Sequence, residues 1–231
     1  MSHVLVVCAK RFNGHELFTL LGVLQKRGHT FEVVSQNILI RDELTLRPNS
    51  LRRTVWDVWG SEVPSFDGIC VVSGHLPDTE ALWSDKHVEL LLKDFKKQEK
   101  TIGAICCSVP TLAPVAKGAK VSYFPLIRAR KRLEYYGADL QNTSLTSDPE
   151  ARMVTAENQM MSEMWSEEVC NLLEGRAPQY IFKDSGFTPK GSERRMKPEI
   201  RAAIDEARGY KMVLTGPKYG YKGVHKKYSL K

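Results

Sequence analysis

Short, almost wholly apolar runs recur along this chain, each followed by a helical pattern, and that alternation narrows the fold more than any other feature. The first is "HVLVVCA" (residues 3–9), rich in β-branched side chains. A strand without polar alternation is one covered on both faces, which is the habit of parallel sheets. "GHELFTLLGVLQKRGH" follows, with Leu17, Leu20, Leu21 and Leu24 at helical spacing and Gly28 at the stop. "TFEVVS" (30–35) is the next strand. Together they make a strand–helix–strand unit, the building block of parallel sheets.

The pattern continues. "FDGICVVSGH" (66–75) and "TIGAIC" (101–106) are apolar strands. Between them "KHVELLLKDFKKQEK" (86–100) sets Val88, Leu91, Leu92 and Phe95 on one helical face and lysines opposite. "PTLAPVAKG" opens a short helix that stops near Gly118, and "AKVSYFP" (119–125) is a further strand. "LIRARKRLEYYGA" is a helix ending at Gly137, "RMVTAEN" (152–158) a strand, and "MSEMWSEEVCNLLEG" a helix ending at Gly175. Only "ILIRDELTLRPNSLRRTVWDVW" (38–59) is irregular, fitting a hairpin and a loop. The expected fold is α/β: a doubly wound, mainly parallel sheet with helices on both faces, flavodoxin-like, over residues 1–175. With 42% hydrophobic residues in 231, there is enough apolar surface for one large core.

After Gly175 the texture changes. Residues 176–231 hold 14 Lys/Arg against 5 Asp/Glu, so the net charge of +7 comes from this extension and not from the near-neutral body. Tyrosines are interleaved with the basic residues, and one helical segment, 197–209, begins near Pro198 and stops at Gly209. Such a run is a solvated face, a cover for a neighbouring subunit or for the site, or an electrostatic footprint for nucleic acid or an acidic protein. The amino terminus reads as a first strand rather than a leader, and no run approaches the roughly 18 apolar residues that a membrane crossing needs. The expectation is a cytoplasmic protein that does not engage membranes.

Five cysteines, Cys8, Cys70, Cys106, Cys107 and Cys170, are an odd number without CxxC spacing. They suggest neither a disulfide framework nor a metal site. In open α/β sheets ligands sit at the carboxyl ends of the strands. Three such ends carry chemistry: "RFNGHE", "SGH" at 73–75, and the Cys106–Cys107 pair. If those strands adjoin, Glu16, Gly74 and Cys106 converge. A thiol at a sharp strand-to-helix turn lies near helix N–H groups that stabilise a thiolate or an oxyanion. Each residue also has a plainer reading. Cys106 and Cys107 are small apolar residues of a core, Cys107 being packing or a modest redox modifier. Glu16 is an exposed carboxylate favoured by a helix dipole, His75 is a turn residue, and His29 and His87 are ordinary surface residues.

"GAICCSVPTLAPVAKGAKVSYFP" resembles the nucleophile elbow of the DJ-1/PfpI (ThiJ) superfamily, which has a class I glutamine amidotransferase-like fold. "GHEL", "VVSGHLPD" and "RMVTAEN" match further family segments in order, over roughly residues 3–175. The resemblance implies Cys106 as the catalytic nucleophile and Glu16 as its carboxyl partner. Gly74, His75 and Cys107 would surround an oxyanion, mainly through backbone N–H. It implies no metal or organic cofactor, a homodimer, and a small reactive carbonyl as substrate in glyoxalase- or deglycase-like chemistry. Amidase- or peptidase-like hydrolysis, redox sensing with selective oxidation of Cys106 to sulfinate, chaperone action, and a non-catalytic module with a binding tail are the alternatives. Many hydrolase-like members carry His after the nucleophile; here Cys107 stands there, and a thiol is no substitute for imidazole as a base near neutral pH. His75 replaces a glycine of the oxyanion turn, and Ser108–Val109 precede the elbow's proline. His15 or His75 is the candidate accessory imidazole.

Overall fold

In the computed structural model, which describes residues 1–180, a six-stranded, mainly parallel sheet organises the chain. In chain order the elements are β1 (His3–Cys8), β2 (Arg11–Phe12), α1 (Gly14–Lys26), β3 (Thr30–Val34), β4 (Leu39–Asp42) and β5 (Pro48–Ser50). Next come β6 (Gly68–Val72), α2 (Leu76–Trp83), α3 (Lys86–Lys97), β7 (Thr101–Ile105) and a 3-10 segment, Cys106–Val115. The chain continues through β8 (Lys120–Val121), α4 (Ile127–Tyr135), β9 (Asp139–Leu140), β10 (Leu145–Asp148), β11 (Met153–Ala156) and α5 (Ser162–Leu173). The main sheet runs β10–β11–β7–β6–β1–β3. Every neighbouring pair is parallel except β10 with β11.

The absence of polar alternation in β1 has a direct structural cause. Successive side chains point to opposite faces. Val4, Val6 and Cys8 pack with Leu17, Leu20, Trp165 and Val169, from α1 and α5. Leu5, Val7 and Ala9 pack with Val88, Leu92, Phe95 and Leu112, from α3 and the 3-10 segment. Both faces of the strand are therefore core, and helices cover both sides of the sheet.

Elements at the rim depart from the sequence expectations. The strand expected at 119–125 shrinks to β8, which pairs with β9 outside the main sheet. Directly after it Ser122 donates its backbone N–H to the Thr155 hydroxyl, 2.9 Å away, instead of extending a ladder. The short helix expected after the cysteines is 3-10, because Pro110 and Pro114 lie within it and remove the donors that an α-helix needs. The irregular stretch does contain a hairpin, β4 antiparallel to β5. Helix α2 and edge strand β10 were not signalled by periodicity. His29 is 5% exposed, accepts the Ser2 N–H and reaches Glu174 at 3.0 Å, so it is not a surface residue. His87 is half-buried, with Nε2 2.8 Å from the Val58 carbonyl. Among the described residues no helix is long and apolar enough to cross a membrane. The basic extension beyond Tyr180, with its expected helix at 197–209, lies outside the described residues.

Candidate functional site

The strand order creates a switch point. From β1 the chain moves to β3 on one side, then returns to β6 on the other. At such a reversal the flanking loops part and leave a crevice at the carboxyl ends of the strands. The loops after β1, β6 and β7 carry Glu16, Ser73–His75 and Cys106–Cys107.

Cys106 is the first residue past β7 and has φ +59°. This left-handed conformation costs a side-chain-bearing residue on the order of 1–2 kcal/mol, so the surroundings must enforce it. Ser108 supplies one restraint. It is fully buried; its hydroxyl lies 2.7 Å from the carbonyls of both Val71 and Ile105, and accepts the Ile105 N–H at 3.2 Å. The turn is thereby fastened to the neighbouring strand β6. From the other side, the Trp83 indole N–H donates to the Cys107 carbonyl at 2.8 Å.

Glu16 sits in the first turn of α1 and is 0% exposed, which removes the reading of an exposed helix-start carboxylate. Asn13 caps the helix by accepting the N–H groups of His15 and Glu16. One carboxyl oxygen of Glu16, Oε2, accepts both the Ser73 N–H (3.0 Å) and the Ser73 hydroxyl (2.7 Å). The other, Oε1, is buried without a hydrogen-bond partner. Burial first, and the Cys106 sulfur second, raise the Glu16 pKa well above the ordinary carboxylate range, against the opposing pull of Ser73. The group accordingly holds its proton further towards neutral pH than a free glutamate.

The two thiols are half-buried, with Sγ atoms 3.8 Å apart. Their hydrogen bond splits their acidities. Donation to Cys107 and then burial push Cys106 up, while the Ser73 hydroxyl and the Cys107 N–H act in the opposite direction. Accepting that bond lowers Cys107, although burial and the carboxylates of Glu16, Glu43 and Glu80 oppose the shift. The hydrogen bond thus favours ionisation of Cys107 over Cys106, and each charge opposes the other. The other cysteines are buried, and burial pushes Cys8 and Cys170 up to about 12 and Cys70 up as well. Buried thiols with raised pKa values of this kind behave as core residues.

Gly74 and His75 lie at the site, but their amides are engaged. The Gly74 N–H donates to the Thr79 hydroxyl at 3.0 Å and the His75 N–H to the Arg11 carbonyl at 2.8 Å. Gly74 is required by proximity: a Cβ there would lie 1.9 Å from the Arg11 carbonyl oxygen. The His75 ring has Nδ1 3.8 Å from Asp78, which also holds Arg11 at 2.6 Å. His15 follows the Asn13 cap, half-buried, with its backbone N–H donated to the cap. Sequence reasoning missed Ser73, Ser108 and Asn13. Their signal was a small polar residue placed beside each strand end, which becomes informative only once the strands are known to adjoin. Among the described residues no group of three or more His, Cys, Asp or Glu is arranged to hold a metal. An open concavity lined by Met1, Arg27 and Glu174 among others lies away from the thiols, at the amino end of β1.

With the geometry in place, comparison with known proteins is informative. The model of the DJ-1/PfpI family matches residues 2–171. An uncharacterized protein of Methanocaldococcus jannaschii is 25% identical over 178 residues, covering 74% of this chain and 82% of its own length. The crystal structure of a ThiJ/PfpI domain protein from Brachyspira murdochii superposes with a TM-score of 0.66 at 19% identity, covering 76% of this chain and 98% of that one. Drosophila melanogaster DJ-1beta gives 0.60 at 18% identity, covering 76% and 97%. At these identities the two structures attest the fold.

Proposed function

Since the chain belongs to the DJ-1/PfpI family, we propose that it is a cysteine-dependent enzyme acting on small reactive carbonyls, with Cys106 as nucleophile and Glu16 as its proton carrier. One observation supports this most: the buried, proton-retaining Glu16 keeps a single oxygen unpartnered beside the strained Cys106 elbow. With Cys107 as the thiolate, transfer of the Cys106 proton to it along the 3.8 Å contact frees the Cys106 sulfur as the nucleophile and leaves Cys107 as a thiol. The thiolate attacks the aldehyde carbon of a dicarbonyl, and the carbonyl electron pair moves to oxygen, which takes a proton from Glu16. The carboxylate so formed then removes the proton from the carbon bearing sulfur and returns it to the adjacent carbon, while the hydroxyl proton passes to the neighbouring oxygen, giving a 2-hydroxy thioester. Water cleaves the thioester, its proton restoring the Cys106 thiol, and the 2-hydroxy acid released gives its carboxyl proton back to Glu16. The net reaction is addition of one water to the dicarbonyl, with no external oxidant. A Cys106→Ala protein that retains full methylglyoxal turnover would sink the proposal.

The amidase- or peptidase-like alternative lacks support at the key position, where Cys107 stands in place of an imidazole. The basic extension favours a second, separable role, binding nucleic acid or an acidic protein through residues 176–231. Salt-dependent retention of the full chain on RNA or DNA, lost on truncation after residue 175, is its test; no retention at low salt removes it. A cytoplasmic homodimer completes the proposal and is checked by fractionation and by sedimentation.

A further inference from the structure

We propose that Cys106 and Cys107 form a reversible dithiol–disulfide centre: mild peroxide closes them to a vicinal disulfide and so spares either sulfur from over-oxidation to sulfinate. The inference concerns the pair itself and stands whether or not carbonyls are the substrates.

The two sulfurs are 3.8 Å apart, already hydrogen-bonded, on the half-exposed side of the elbow. The remaining thiols among the described residues, Cys8, Cys70 and Cys170, are buried in the core. Cys107 is the half-exposed thiol in hydrogen-bond contact with Cys106, and so the one placed to intercept an oxidised sulfur at this turn. The chemistry balances. A thiolate of the pair attacks the peroxide, the O–O bond breaks, and a sulfenic acid and hydroxide form. The second sulfur, as thiolate, attacks the sulfenic sulfur; the S–O bond breaks, hydroxide leaves, and the S–S bond forms. The sulfurs are oxidised by two electrons and the peroxide is reduced. Sensor cysteines placed beside a resolving cysteine follow this route in preference to sulfinate.

Neighbouring residues impose strain on the product. Their Cα atoms are about 3.8 Å apart across a trans peptide, short of the roughly 4.4–6.8 Å usual for disulfides. A strained disulfide is readily reduced, so the closed form reopens with ordinary thiols rather than persisting. Oxidation at this elbow is then a recoverable event.

The test uses the full chain, treated with hydrogen peroxide, alkylated, digested with trypsin and weighed. The wild-type peptide 101–117, which carries both cysteines, is expected to lose two hydrogen atoms, and dithiothreitol should restore both thiols. Cys106→Ser and Cys107→Ser, each deprived of its partner, should instead proceed to sulfinic acid at the remaining cysteine and resist dithiothreitol. Wild-type peptide bearing sulfinate, or left as two free thiols under conditions in which iodoacetamide labels the pair, overturns the inference. So does full recovery of the single variants by dithiothreitol. Loss of methylglyoxal turnover is measured separately on unoxidised protein, so failure of the carbonyl reading is distinguishable from failure of this one.

Discussion

Ser73 gives both of its donors to the same oxygen of Glu16, its N–H at 3.0 Å and its hydroxyl at 2.7 Å. That double contact engages Oε2 alone, while the second Glu16 oxygen is buried and unpartnered. It also ties the end of β6 to the first turn of α1 across the switch point. Ser73→Ala should leave the fold intact and cost about 1–3 kcal/mol, the range for removing one partner of a buried polar group. Because the Ser73 hydroxyl lowers the Glu16 pKa, its loss should move the alkaline limb of the activity profile to higher pH. Urea melts and a pH–rate profile check both outcomes.

Glu16 also sets a pH dependence of stability. Its folded-state pKa is raised above the unfolded value, so the folded protein binds the proton more tightly. The stability contribution is complete below the unfolded value of about 4.3 and is lost as pH rises through the folded value. Glu16→Gln keeps an oxygen for Ser73 and removes the ionisation. Relative to wild type, its melting temperature should rise with pH, by a few °C at pH 9 compared with pH 5.

The backbone at Cys106 makes a prediction independent of chemistry. At φ +59° a glycine is unstrained, whereas alanine is not. Cys106→Gly should therefore be more stable than Cys106→Ala by about 1 kcal/mol, although it removes more side chain. Both should be inactive towards methylglyoxal. Equal stabilities in chemical denaturation would contradict the assignment of strain to the elbow.

Gly74 is fixed by the approach of β2. A methyl group there would meet the Arg11 carbonyl at 1.9 Å, and backbone cannot step aside as a side chain can. Gly74→Ala should cost roughly 1–3 kcal/mol, as overpacking does, and displace the loop that carries Ser73. A lower melting temperature together with reduced turnover is the expected result.

The central strands were legible because their burial on both faces leaves no room for polar alternation, as β1 shows in Val4 through Cys8. Helix α3 was legible for the opposite reason, a single buried face of Val88, Leu91, Leu92 and Phe95. The rim was not. Strand β8 ends after two residues because the Ser122 N–H finds the Thr155 hydroxyl, a long-range partner that no local pattern reveals. The same division holds for the site. Cys106 and Glu16 stood out by position and resemblance, yet the structure alone brings the Ser73 clamp and the Ser108 fastening into view. It also places the Gly74 and His75 amides in hydrogen bonds to Thr79 and Arg11, which no motif discloses.

The most direct test of the account compares Glu16→Gln with wild type in two assays on the same samples. In the proposed mechanism Glu16 transfers protons, a role worth typically 10²–10⁴-fold, and Cys106 forms the bond to substrate. Methylglyoxal turnover should therefore fall by roughly that factor, while iodoacetamide continues to alkylate Cys106. Undiminished turnover by the Glu16→Gln protein would contradict the account.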